Sequence, residues 1–194
     1  ITNHPYLEDL VSGDIFAYGP RGSDEYSFQW GEYVPESFLS GVLAENWSIT
    51  ADQIVFNLRK GIMWNEAAIM ASRELVADDV VNHYMRIMEK RPSRYDWVDE
   101  VSAADKYTFV VDTNKYNAQW STLIGTGMAN AIQPPELADA GPDDWKNHIG
   151  IGTGPFMLED YIDSSLVTYK RNPDWWNKEI DIDGETYDRP FVDT

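Results

Sequence analysis

The 194-residue sequence contains no cysteine. This excludes a disulfide framework, a thiol nucleophile and a zinc–thiolate centre. Positive charge is scarce: 15 Lys and Arg stand against 33 Asp and Glu, a formal net charge of −18. So acidic a chain repels nucleic-acid phosphates and anionic lipid surfaces, and no basic stripe offsets the repulsion. Histidine is also rare. His4, His83 and His148 lie far apart, without metal-ligand spacing and without an H-E-x-x-H, so no metal site is expected. Long apolar runs are missing. The longest charge-free stretch, residues 116–135, contains Asn117, Gln119, Ser121, Asn130, Gln133 and a proline pair, which does not make a spanning helix. The opening Ile1-Thr2-Asn3-His4-Pro5 has neither the basic start nor the apolar core of a secretory signal. A mature form, an internal fragment and a cytosolic chain all fit that opening.

Motifs of common chemistries are lacking too. Gly150-Ile151-Gly152-Thr153-Gly154-Pro155 is glycine-rich but is neither G-x-G-x-x-G nor a P-loop. Pro155 removes a donor where a phosphate-binding helix would begin. The segment reads as a turn or hinge with close backbone approach. Asp181-Ile182-Asp183-Gly184-Glu185 superficially resembles a calcium loop, but its twelfth position is Val192 rather than Glu, which favours a solvated acidic turn. There is no G-x-S-x-G elbow, and carboxylates are too numerous for one acid/base couple to stand out. No cofactor is expected.

What the chain does contain is apolar and aromatic substance. Hydrophobic residues make up 43% and aromatics 13%, with 8 Trp and 11 Tyr, which suffices for a globular core. Residues 1–45 are loop-rich, with a turn at Gly19-Pro20-Arg21-Gly22. Alternation of Ile54, Phe56 and Leu58 predicts a strand in a pair over 46–59. Val76, Val80, Val81, Tyr84, Ile87 and Met88 share one face of a helix over 76–90, with Asp78 and Asp79 in its first turn and Pro92 beyond its end. A strand, a turn at 104–106 and a second strand follow over 101–111. Short helices are expected at 119–123 and 135–140, and strands at 156–161 and 166–170. Strands and helices mix without a βαβ rhythm. The expected fold class is α+β, with a mixed, mainly antiparallel sheet and helices. Trp30, Trp64, Trp97 and Trp120 fall in loops or at element ends. They and the charge-free 116–135 stretch fit either a buried core or the wall of a cleft.

The order of motifs resembles one family. Leu43-Ala44-Glu45-Asn46-Trp47-Ser48-Ile49, Ile54-Val55-Phe56-Asn57-Leu58-Arg59-Lys60-Gly61 and Ala77-Asp78-Asp79-Val80-Val81 resemble the opening of the family 5 solute-binding proteins. These are the oligopeptide-, dipeptide- and nickel-binding receptors of ABC importers. Val101 to Phe109, Ile132-Gln133-Pro134-Pro135, Gly152-Thr153-Gly154-Pro155-Phe156 and Arg171-Asn172-Pro173-Asp174-Trp175-Trp176 are similar to its later motifs, in order, across about residues 40–178. Two departures stand out. Val76 replaces the family's Thr helix cap, so Asp78 or another group must cap. Trp64-Asn65-Glu66-Ala67 replaces its aromatic-His-Asp-Gly turn.

The resemblance implies a fragment of a two-lobed periplasmic-binding-protein architecture. Residues 1–149 would be the small accessory domain of the first lobe and 150–194 the truncated start of its main domain. Gly152, Thr153, Gly154 and Pro155 would form the domain crossing or hinge. Gly127, Met128, Ala129 and Asn130 would edge the ligand cleft, and Tyr95 and Trp97 could present an aromatic to the ligand. No catalytic residue is expected. A strand pair at 156–170 would leave Phe156, Leu158, Val167 and Tyr169 as an apolar patch, unless they fold back onto the rest. The implied partners are a peptide or other small solute, a permease with its ATPase, and the protein's own C-terminal lobe, outside the cytoplasmic membrane. An oligosaccharide receptor of the same family is one alternative. An acidic hydrolase, with two inward carboxylates in one pocket, is another.

Overall fold

A computed structural model describes residues 5–20, 22–28, 33–127, 130–139 and 150–194. His4, Arg21, Trp30, Met128, Ala129 and His148, named above, and the last residue of the helix expected at 135–140 lie outside the described residues. In chain order the elements are β1 (Val11–Gly13), α1 (Ile15–Tyr18), β2 (Leu39–Gly41), β3 (Ala44–Ile49), β4 (Gln53–Leu58), β5 (Met63–Trp64), β6 (Arg73–Glu74), α2 (Ala77–Lys90), β7 (Val98–Asp105), β8 (Thr108–Thr113), α3 (Glu136–Asp139), β9 (Phe156–Ile162), β10 (Leu166–Arg171), β11 (Glu179–Ile182) and β12 (Glu185–Asp188).

Four strands form the central sheet, in the order β3-β4-β8-β7 with every neighbour antiparallel. Period-2 alternation puts Ile54, Phe56 and Leu58 on the covered face of β4, and Phe109 and Val111 on that of β8. Helix α2 covers this face with Ala77, Val80 and Tyr84, all fully buried. Tyr84 stacks on Phe109 (centroids 5.5 Å apart) and Phe109 on Phe56 (5.9 Å), so ring packing fixes the helix to the sheet. The α+β architecture with antiparallel sheets is as expected.

Asp79 is the group that replaces the missing cap of α2. Its carboxylate accepts the Val76 N–H (3.0 Å), the Trp64 Nε1–H (3.1 Å) and two bonds from Arg73 (2.8 Å each). The Arg73 guanidinium also reaches Glu136 at 2.7 Å, tying the helix start to α3.

One detail differs from the sequence reading, one agrees with it and one decides between its alternatives. The helix expected at 119–123 is a π-helical turn over Ser121–Gly125. The acidic stretch at 181–185 is the tip of the β11–β12 hairpin, whose central Asp183 and Gly184 both take positive φ (55° and 82°), the twist that favours tight hairpins. Trp64, Trp97 and Trp120 are 0–1% exposed and belong to the core, because their rings fill the space between sheet, helix and π-turn. Among the described residues no helix is long and apolar enough to cross a membrane.

The β9–β10 hairpin only partly folds back. Tyr169 stacks on Tyr6 (5.9 Å), and Phe156 and Leu158 are half-buried. Val167, with Ile162 and Leu166, stays exposed.

Candidate functional site

Residues 5–10 form an extended segment that runs between three other parts of the chain. Its first end pairs with the glycine-rich segment: the Gly154 N–H donates to Tyr6 O (2.9 Å) and the Phe156 N–H to Pro5 O (3.1 Å). Further on, the Ile132 N–H donates to Glu8 O (2.9 Å), and Leu43 and Ala44 donate to Asp9 O and Leu10 O. The approach at 152–154 is so close that a Cβ on Gly152 would stand 1.6 Å from Tyr6 O. Only glycine fits there.

Two motifs separate in sequence meet at this segment. Asn172 donates through Nδ2 to Gly154 O (2.9 Å), and its N–H donates to Pro155 O (2.7 Å). On the other side Asn65 and Gly152 exchange two bonds. The Asn65 N–H donates to Gly152 O (3.1 Å), and the Gly152 N–H donates to Asn65 Oδ1 (2.7 Å).

At the centre are two adjacent buried acids, Glu8 and Asp9, each 3% exposed. Glu8 accepts from Thr153 Oγ1 (2.9 Å), Trp175 Nε1 (3.0 Å) and Trp176 Nε1 (3.1 Å). Asp9 accepts, through Oδ2, from the Gly127 N–H (3.1 Å) and Thr126 Oγ1 (3.3 Å). Among the described residues its Oδ1 has no partner. Burial raises the Glu8 carboxyl to about 7, against the lowering effect of its three donors, and raises Asp9 to about 6. Because they face different neighbours, the two acids do not form the facing couple that glycoside hydrolysis needs. Among the described residues no group of His, Asp and Glu is placed to hold a metal ion.

The family model for bacterial extracellular solute-binding proteins, family 5 Middle, matches residues 39–188. The chain belongs to this family. Over 163 residues it is 27% identical to Di/tripeptide-binding protein 2 of Pseudomonas aeruginosa (strain UCBPP-PA14), covering 73% of this chain and 31% of that relative. It therefore spans about a third of the curated relative's length. The fold is shared with the periplasmic binding protein DppA of Helicobacter pylori, solved with the peptide STSA (TM-score 0.63, 20% identity, 89% of this chain and 34% of that one). It is shared equally with a periplasmic oligopeptide-binding protein of Thermotoga maritima solved with mannohexaose (TM-score 0.63, 19% identity, 89% and 29%).

In this family 5 chain the residues singled out from sequence separate into two groups. Gly127 and Asn130 lie beside Asp9. Gly127 takes φ +119°, and Asn130 is buried with Nδ2 donating to Thr122 O (2.7 Å) and Thr126 O (2.6 Å). Gly152, Thr153, Gly154 and Pro155 lie along the other side of the same segment. Tyr95 and Trp97 do not join them. They are 3% and 1% exposed, and the Tyr95 hydroxyl donates to Leu123 O (3.0 Å). Their place is the core beneath the π-turn, which leaves no ring face for a ligand. Much of the 116–135 stretch is likewise core, through Trp120, Leu123, Ile124 and Ile132.

Glu8, Asp9, Asn65 and Asn172 were not singled out. The signal for the first two was present: Leu7-Glu8-Asp9-Leu10 sets two charges between fully buried leucines. Asn65 sits in the turn where the sequence departs from its family, and its bonds to Gly152 give that departure a structural role.

Proposed function

We propose that this chain is part of the substrate receptor of an ABC importer, which captures di- or oligopeptides between two lobes and delivers them to a permease with its ATPase. The observation that carries this reading is the family match over 39–188 together with the likeness to a di/tripeptide-binding protein. The receptor works outside the cytoplasmic membrane, in the periplasm or tethered to the cell surface, and is not an enzyme. Residues 1–149 serve as the accessory part of the first lobe and 150–194 as the start of its main part, with Gly152 to Pro155 as the crossing. Gly127 to Asn130 edge the cleft. Extended peptide suits such a site, because its backbone hydrogen-bonds as an added strand.

An oligosaccharide is the second reading, favoured by the mannohexaose bound to the Thermotoga neighbour. A sugar-stacking cleft needs exposed tryptophan faces. In this chain Trp64, Trp97 and Trp120 are buried, while Trp47, in an open groove with Glu36, Ser37, Glu45 and Asn46, is partly exposed. Mass spectrometry of what copurifies with the full-length polypeptide tests the reading. Peptides are the expected cargo; a sugar or a metal chelate in their place overturns it.

A further inference from the structure

Glu8 and Asp9 are joined by one peptide bond and hold the two segments assigned above to the crossing and the cleft edge. We propose that the Glu8–Asp9 pair is a positioning element that couples the Thr126–Gly127 turn to the 152–155 crossing, so that the setting of one fixes the setting of the other. The inference rests on the receptor reading for what those segments do, but the coupling itself stands on the geometry.

Three observations carry it. First, the backbone between the two carboxylates is tied on both sides, by the Ile132 N–H on Glu8 O and the Leu43 N–H (3.2 Å) on Asp9 O. A displacement of either side chain is passed along the segment rather than absorbed by it. Second, each carboxylate holds its target by hydrogen bonds, fully buried at Glu8 and partly buried at Asp9. Thr153 is 2% exposed and donates to Glu8, and Gly127, whose carbonyl accepts the Asn130 N–H (2.8 Å), donates to Asp9. Third, among the described residues Asp9 Oδ1 lacks a donor, so the contact of Asp9 with Thr126 and Gly127 rests on Oδ2 alone.

Protons bear on the coupling. Glu8 is faced by Asp9 on its own segment and by Arg189, whose guanidinium lies 5.1 Å from the Trp175 ring, while Arg59 lies 4.6 Å over the ring of its donor Trp176. Asp9 is faced by Glu8 and by the Tyr84 hydroxyl of α2. Both carboxyls take up protons between pH 8 and pH 5. A neutral Glu8 keeps Thr153 by reversing that hydroxyl bond, but it withdraws one of the two oxygens that Trp176 shares.

Amide hydrogen exchange, expressed relative to the intrinsic rate, reads both sides at once. It is to be measured on the chain and on its Asp9→Asn and Glu8→Gln variants at pH 5.5 and pH 8. Asp9→Asn is expected to speed exchange at Gly127 about tenfold and also at Gly154, on the far side. Glu8→Gln is expected to act on Gly154 and also on Gly127. Trp176→Phe, which removes a donor and leaves both carboxylates, is expected to act on Gly127 even if Glu8→Gln does not fold. The wild-type change in protection between the two pH values is expected to vanish in the double variant. Effects confined to each variant's own side, or a pH dependence that survives in the double variant, overturn the coupling. Binding of trialanine to the full-length polypeptide gives the second arm, with the two single variants non-additive in the double. Failure of the wild type to bind trialanine counts against the peptide reading alone, since exchange still decides the coupling.

Discussion

Arg73 and Asp79 form a two-pronged ion pair, Nη1 to Oδ2 and Nη2 to Oδ1, each at 2.8 Å. Asp79 is almost wholly buried, while Arg73 is about a third exposed. The carboxylate also caps α2 and holds Trp64. Asp79→Asn is expected to destabilise the chain by about 3 kcal/mol, since it leaves several donors and a cation facing a neutral group. Glu136→Gln, at the exposed end of the same guanidinium, should cost under about 1 kcal/mol. Urea denaturation of both variants checks the contrast.

The dependence of stability on pH should have an unusual shape. Glu8 and Asp9 have raised folded values, about 7 and about 6. Their contribution is complete below the unfolded carboxylate range and is lost as pH rises through those values, by about 3 kcal/mol each. Glu74, held by Lys106 to about 2, and Glu136, lowered by Arg73, act oppositely: they stabilise above the unfolded range and cease to as pH falls. Maximum stability is therefore expected at about pH 4–5. Asp9→Asn should flatten the decline between about pH 4 and 6 and raise the melting temperature at pH 8. A melting series from pH 3 to pH 9 reads both effects.

Glycine substitutions separate close approach from backbone strain. Gly152→Ala places a methyl 1.6 Å from Tyr6 O and is expected to cost about 4 kcal/mol or more, by parting residues 5–8 from 152–156. Gly184→Ala meets nothing within 4 Å, but its φ of +82° imposes about 1 kcal/mol. Thermal melts of the two variants should differ accordingly.

The tip of the β9–β10 hairpin exposes Ile162, Leu166 and Val167 together. Ile162→Thr, Leu166→Lys and Val167→Thr in combination should reduce dye binding and self-association, with stability changed by less than about 0.5 kcal/mol per site. Analytical ultracentrifugation beside an ANS titration decides it.

Long periodic elements were legible in the sequence, since Val80 and Tyr84 or Ile54, Phe56 and Leu58 announce a buried face by spacing alone. The β11–β12 hairpin was not: its strands are short and exposed, so no apolar alternation marks them. The close backbone approach at 152–154 was legible from its glycines. The partners that hold it were not, because Glu8, Asn65 and Asn172 lie far from it in sequence. Tyr95 and Trp97 misled for a related reason. An aromatic at an element end looks the same in a sequence whether it faces solvent or closes a core.

The pairing of Tyr6 with Gly154 also orders events in time. The Tyr6 carbonyl finds the Gly154 N–H, and the Glu8 carboxylate its donors, only after some 145 to 168 further residues exist. The central sheet and α2 close through nearer contacts and can form first. The Glu8 carboxylate therefore stays without these donors until the tryptophan pair exists, while Asp9 meets Thr126 and Gly127 some 117 to 118 residues on. Loop closure over such a span costs only slightly more than over half of it, so the delay lies in waiting rather than in searching. A chain built this way completes its fold last at the place where its two candidate functional segments meet.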